Sequence, residues 1–188
     1  DAGKIYSYEL DIQNRAGFYW YHPHPHGRTG HQVYHGLAGL FVVRDDEEDA
    51  LNLPSGDNEL FMVFQDRHFD DDNQLIYIQS GHDIMMGKMG DTLFVNGGRE
   101  FKKEIKSESY RLRVLNGSNA RSYRLKWDDN RPITIIGTDG GLIKAPMEMD
   151  SVLLSPGERL DIIVNFEDKN VGDNIELQSI PIVDNGNP

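Results

Sequence analysis

Trp20-Tyr21-His22-Pro23-His24-Pro25-His26 is the stretch on which the reading of this chain turns. It runs on through His31 and His35 to Gly36-Leu37-Ala38-Gly39. Five of the seven histidines lie between positions 22 and 35, a clustering that asks for a chemical reason. Metal is the obvious one, because neutral imidazole is the commonest protein ligand for copper, zinc and iron. His22, His24 and His26 are two apart. In an extended strand residues i and i+2 point to the same side, with backbones roughly 6.6 Å apart. That spacing suits two imidazoles reaching neighbouring ions, or one shared site. Pro23 and Pro25 favour extended backbone in the residues before them and oppose a helix. Proline lacks a ladder N–H, so this is an edge or the frayed end of a strand. The plain alternative is a surface His/Pro tract. Such tracts do not usually grow out of an aromatic strand, as this one does from Gly17-Phe18-Tyr19-Trp20-Tyr21.

Working outward, Tyr6, Tyr8, Leu10 and Ile12 alternate with Ser7, Glu9 and Asp11, the pattern of a half-buried strand over 4–12. Asn14-Arg15-Ala16-Gly17 turns the chain, and Phe18–Tyr21 forms the strand that ends in the histidines. His31–His35 fits one helical turn. Leu40–Val43 is a short apolar strand. Asp45-Asp46-Glu47-Glu48-Asp49 is a charge block expected in solvent, and with 52–58 it reads as a linker. From 59 onward strands are expected at 59–64, 75–78, 91–96, 110–114, 123–127, 133–136, 152–154, 160–166 and 175–180. Asn96-Gly97-Gly98 is a tight-turn signal, as is Asp139-Gly140-Gly141. Regular short strands with turns between them read as a β-sandwich.

The net charge of −12 argues against a nucleic-acid partner, which needs a basic face. No apolar run is long enough to span a bilayer, so no membrane partner is expected. Cysteine is absent. These residues therefore hold no disulfide, no zinc–thiolate site and no blue type 1 copper, which needs a Cys thiolate with two His.

Tyr19-Trp20-Tyr21-His22-Pro23-His24, followed by Gly36-Leu37-Ala38-Gly39-Leu40-Phe41-Val42-Val43, resembles the second His-X-His motif of the multicopper oxidases, closest to the bacterial laccase and bilirubin-oxidase-like branch. Gln65-Asp66-Arg67, Gly90–Gly97, Tyr110–Asn116 and Leu154–Asp161 resemble, in order, stretches of that family's second domain. The resemblance implies an all-β, cupredoxin-like Greek-key sandwich: one complete domain at 59–180 and, at 1–46, the C-terminal part of another. Residues 47–58 would be an acidic linker, and 181–188 the start of a linker to a third domain. A cupredoxin sandwich needs roughly seven or eight strands, and only about three precede residue 47. Another segment, covalent or not, is expected to complete that first sheet.

By the same resemblance His22 and His24 would each ligate one type 3 copper of a trinuclear centre, with Trp20 and Tyr21 packed beside them to limit water. The function implied is a copper-dependent, laccase-like oxidase. It oxidises reducing substrates such as phenols or metal ions and reduces dioxygen to water. Its partners would be dioxygen and the remaining segments of the same oxidase, namely the N-terminal half of domain 1 and domain 3. A periplasmic or extracellular setting would go with that. The chain lacks the earlier His-X-His motif, the third domain's His-rich motifs and the cysteine, so by itself it should bind copper weakly and not turn over.

His26, His31 and His35 stand outside the family motif. The 31/35 pair has the i,i+4 spacing that places two imidazoles on one helical face, so copper contact there stays open beside a supporting or surface role. His82 with Met85, Met86 and Met89 has soft donors suited to Cu(I); filling a gap between domains is the plainer use of these methionines. Asp70-Asp71-Asp72 does not match an EF-hand loop, and no G-x-S-x-G elbow is present. Two alternatives compete with the oxidase: a copper-free cupredoxin-like structural or assembly protein, and a simple copper- or zinc-binding module.

Overall fold

The computed structural model describes residues 3–182; most of the stretch expected to open a linker, 183–188, lies outside them. Two bodies of β structure carry the chain. The first is an antiparallel ribbon of β1 (Gly17–Tyr21) and β2 (Gly39–Val43), in register from Gly17↔Val43 to Tyr21↔Gly39. Between them the chain makes one short helix, α1 (Thr29–Tyr34). It ends where Gly36 takes φ +93°, with Gly36 N–H donating to Val33 O and Leu37 N–H to Gln32 O. That glycine-dependent stop satisfies the helix's last carbonyls and turns the chain back into β2.

The second body begins after α2 (Asp46–Asp49). It consists of β3 (Glu59–Arg67), α3 (Gly81–Met86), β4 (Thr92–Val95), β5 (Ser109–Asn116), β6 (Tyr123–Trp127), β7 (Ile133–Thr138), β8 (Gly141–Met149), β9 (Val152–Leu154), β10 (Arg159–Asn165) and β11 (Leu177–Ile180). Six strands form one sheet in the order β4-β3-β5-β10-β7-β8, and three form another, β11-β6-β9. β3 and β5 run parallel; the other paired strands are antiparallel. Their facing surfaces close one apolar core. Leu112, Val114, Ile133, Ile135, Leu160 and Ile162 come from the larger sheet, and Tyr123, Leu125, Trp127, Val152 and Leu154 from the smaller. Alternate residues of each strand supply this core, as the pleat requires, and the sandwich expected from the strand count is the result.

The other side of β5 is where simple alternation misleads. Arg111 and Arg113 are as buried as their apolar neighbours, and so is Glu48 on α2. The acidic block read as a solvated linker instead folds one helical turn, N-capped by Asp45, whose side chain accepts from Glu48 N–H at 2.8 Å. Glu48 is thereby carried inward, where it accepts from both arginines. A charge block is expected in water only while it has no buried counter-charge to meet.

Three further expectations are corrected. Residues 4–12 form no strand, because no neighbouring strand among the described residues offers a ladder; Tyr6, Tyr8 and Leu10 are 77%, 80% and 72% exposed. Residues 75–78 make a single bridge, Phe69↔Leu75, and not a strand. β8, absent from the sequence reading beyond its first glycine, pairs with β7 across the Asp139-Gly140 turn. Its outer half, exposed on the sheet edge, lacks the alternation that would have marked it.

Candidate metal centre

β1 fixes where the histidines begin. Phe18 is buried, and its carbonyl accepts from Arg159 Nε at 3.0 Å, which ties the ribbon to β10. Farther along, Asn119 Nδ2 donates to Gly30 O at 2.8 Å, and His68 N–H donates to Tyr34 Oη at 2.8 Å. Tyr34 is fully buried and lies beneath the Arg67 guanidinium, 5.0 Å from ring centroid to Cζ. Burial raises the Tyr34 pKa and lowers that of Arg67. The histidine-bearing segment is thus anchored at both ends on the sandwich.

His22 and His24 follow directly on β1 and share a side, with ring centroids 5.6 Å apart. That is the i,i+2 placement the spacing predicts. His22 is half-buried and His24 exposed. His22 Nδ1 lies 3.0 Å from Pro23 O. A carbonyl only accepts, so Nδ1 carries a proton, and in the neutral ring the lone pair is on Nε2. Trp20 packs against His22, with ring centroids 4.6 Å apart. Tyr21 does not: its ring lies across Gly39, where an added Cβ would sit 2.3 Å from it, and it is 63% exposed.

The other histidines are arranged differently. His31 and His35 stack at 4.1 Å with 23° between their planes, so the rings pack as plates and do not converge on one point. His35 Nδ1 donates to His31 O at 2.8 Å. His26 is exposed in the turn before α1. His82 and Met85, on α3, and Met89 after it are exposed. Among the described residues no cluster of three or more His, Cys, Asp or Glu side chains is placed to hold an ion. His68 escaped the sequence reading. Its Nδ1 lies 2.6 Å from Asp91 Oδ2, a bond that lowers the Asp91 pKa. The partners are 23 residues apart and meet only through β3–β4 pairing, so no local signal announces them.

Two imidazoles side by side, one with a fixed tautomer, are nitrogen donors of the kind copper takes. They are too few to complete a coordination sphere. A cupredoxin-like β-sandwich with a His-X-His pair at its flank defines a copper-protein class, and the comparisons agree. Two multicopper oxidase family patterns match, one over residues 59–174 and one over 1–48. The chain belongs to the multicopper oxidase family. It is 36% identical to multicopper oxidase mco of Staphylococcus aureus, over 96% of this chain and 41% of that protein. It is equally 36% identical to the cell division protein FtsP of Escherichia coli K12, over 89% of this chain and 35% of that protein. It superposes on the McoA multicopper oxidase of Aquifex aeolicus with a TM-score of 0.85 and 43% identity, covering 92% and 39% of the two chains. The chain therefore spans about two fifths or less of the length of these relatives. Among the described residues no helix is long and apolar enough to cross a membrane.

Proposed function

We propose that this chain is the part of a laccase-type multicopper oxidase that supplies His22 and His24 as ligands to the paired type 3 coppers of a trinuclear centre. Residues 1–46 are then the end of a first cupredoxin domain and 59–180 a second one. The observation that carries the reading is the ring pair itself: two imidazoles 5.6 Å apart on one side of a strand end, with the His22 proton on Nδ1. That separation suits two rings serving adjacent ions. When bound, the coppers would pass electrons from a reducing substrate to dioxygen. This chain's residues hold the ligands, fix the tautomer of His22 and, through Trp20, cover one side of its ring. The remaining donors come from segments beyond these residues, and a periplasmic or extracellular setting goes with the reading. His31 and His35 stack face to face and His26 lies in the turn before α1, so the reading gives the two type 3 positions to His22 and His24 and keeps the other three as further copper contacts to be tested.

The test is copper analysis and oxidase assay of the intact protein, with and without alanine at 22 and 24. Loss of copper and of dioxygen uptake in both variants is expected. Copper retained at full stoichiometry in the double variant would refute the ligand assignment. A second reading, a copper-free structural protein, draws on the equal identity to a cell division protein. An intact wild-type protein that takes up no copper would favour it. Binding without dioxygen uptake would favour a simple binding module.

A further inference from the structure

His22 is held from two directions, and one of them leads back to the sandwich. Trp20 and His22 stand two residues apart, so their side chains lie on the same side of the strand end. Their rings meet at 4.6 Å with 34° between planes, within the range of a packed aromatic pair. The Trp20 ring also lies next to a glycine of the sandwich. A Cβ built on Gly157, in the turn between β9 and β10, would lie 3.5 Å from Trp20 Cζ2, an ordinary van der Waals contact, so the indole edge sits beside that turn. That turn is firmly held. Gly157 has φ +82°, its N–H donates to Asn116 O at 2.8 Å, and its carbonyl accepts from Arg159 Nη1 at 3.1 Å. Arg159 also donates to Phe18 O on β1. Arg159 thus ties the Gly157 turn to the strand that carries the indole.

Resting on the copper reading above, we propose that Trp20 is a positioning residue, through which the Gly157 turn of the sandwich sets the ring plane of His22. The Nδ1–H bond to Pro23 O selects the tautomer, and the indole selects the rotation about the ring axis. Together they leave Nε2 aimed one way before any metal arrives. The sandwich is then more than a spacer, because it orients a ligand it does not itself contain. Contacts of this kind beyond the ligands typically change metal affinity 10–100-fold.

The test uses the intact protein, copper-free and then titrated with Cu(II) against a competing chelator. Trp20→Leu is expected to weaken binding by about 10–100-fold, while Trp20→Phe, which keeps an aromatic face on His22, stays within about threefold of wild type. Leu40→Ala removes the cross-strand partner of Trp20 without touching the ring pair, and it should leave the affinity unchanged. Equal losses in Trp20→Leu and Leu40→Ala would reduce the effect to ribbon stability and overturn the proposal, as would an unchanged affinity in Trp20→Leu. Should Trp20→Leu fail to fold, nitrogen NMR of the copper-free wild type decides. A single Nδ1–H tautomer at His22, with indole-to-imidazole proton contacts, is expected; an Nε2–H form or absent contacts would overturn the proposal. A wild type that shows the locked ring but takes up no copper would sink the copper reading and leave the positioning intact.

Discussion

Arg113 and Glu48 meet as a hydrogen-bonded ion pair in the interior, Nη2 to Oε1 at 2.6 Å, with side chains 0% and 3% exposed. Glu48 also accepts from Arg111. Arg113 Nε donates to Glu59 Oε1 at 2.6 Å, and Arg111 binds Asp161 through Nε and Nη2 at 2.8 and 2.5 Å. Arg44 closes the set on Glu59. Three cations face three anions, so the cluster is neutral as a unit and expensive to break in part. α2 is thereby fastened to β5, which connects the histidine-bearing ribbon to the sandwich.

Glu48→Ala should therefore cost about 3–5 kcal/mol of stability, because it leaves the buried cluster with one uncompensated positive charge. Urea unfolding followed by tryptophan fluorescence reads this directly. A loss below about 1 kcal/mol would show that water reaches the arginines easily and that the cluster is not sealed.

Acid should loosen the same cluster. Burial alone would raise the Glu59 pKa, but Arg44 and Arg113 outweigh it and hold the carboxyl below its usual range. The unfolded chain then takes up the proton more readily than the folded one. Stability from this group is complete above the unfolded value, about pH 4.3, and is lost as pH falls through the lower folded value. Asp45, held low by Ala16 N–H and Arg15, acts in the same direction. Unfolding midpoints are expected to be flat from about pH 7 to 5 and to fall steeply below about pH 4. Replacement of Glu59 by Gln should flatten that fall, and an unaltered slope would count against this account.

Asn96 offers a cleaner case. At φ +52° it opens the turn after β4, while its side chain accepts from Val63 N–H at 2.8 Å and donates to Phe61 O at 2.7 Å. The amide stands in for a missing strand residue beside β3. Asn96→Ala should cost about 1–3 kcal/mol, from two lost hydrogen bonds and a strained backbone. Asn96→Gly tolerates the backbone angle and should recover part of that. If Gly and Ala cost the same, the backbone contributes nothing.

What the sequence made legible follows from distance along the chain. The His22/His24 placement needs only the two-residue period of an extended strand, and the structure has it. The α1 turn at His31–His35 is equally local. The tight turn at Asn96-Gly97 was readable from two residues, but its use as a brace for β3 depends on residues more than thirty positions away. Arg111 and Arg113 alternate with apolar neighbours just as solvent-facing residues do, and nothing nearby says that Glu48, 63 positions earlier, will cover them. The same blindness hid His68–Asp91. In the other direction, the alternation over 4–12 is real and still makes no strand, because a period describes one side of a pairing and cannot supply the partner.

That unpaired stretch yields the last prediction. Tyr6, Tyr8, Leu10 and Ile12, alternating with Ser7, Glu9 and Asp11, are 77%, 80%, 72% and 42% exposed, and Ile5 beside them is 96% exposed. These five large apolar side chains, four of them in strand alternation, lose the burial that would stabilise them, at roughly 25 cal/mol per Å² of apolar surface, and among the described residues their backbone groups lack a ladder. Both deficits disappear together if a further strand lies alongside. Amide hydrogen exchange separates the cases. In the 188-residue chain the amides of 5–12 are expected to exchange at nearly unprotected rates. In a longer protein that includes the neighbouring segments they should slow by at least about 100-fold, as amides in a paired strand do. Exchange that stays fast in the longer protein would mean that the alternation serves no sheet, and the completion of the first domain would have to be sought elsewhere.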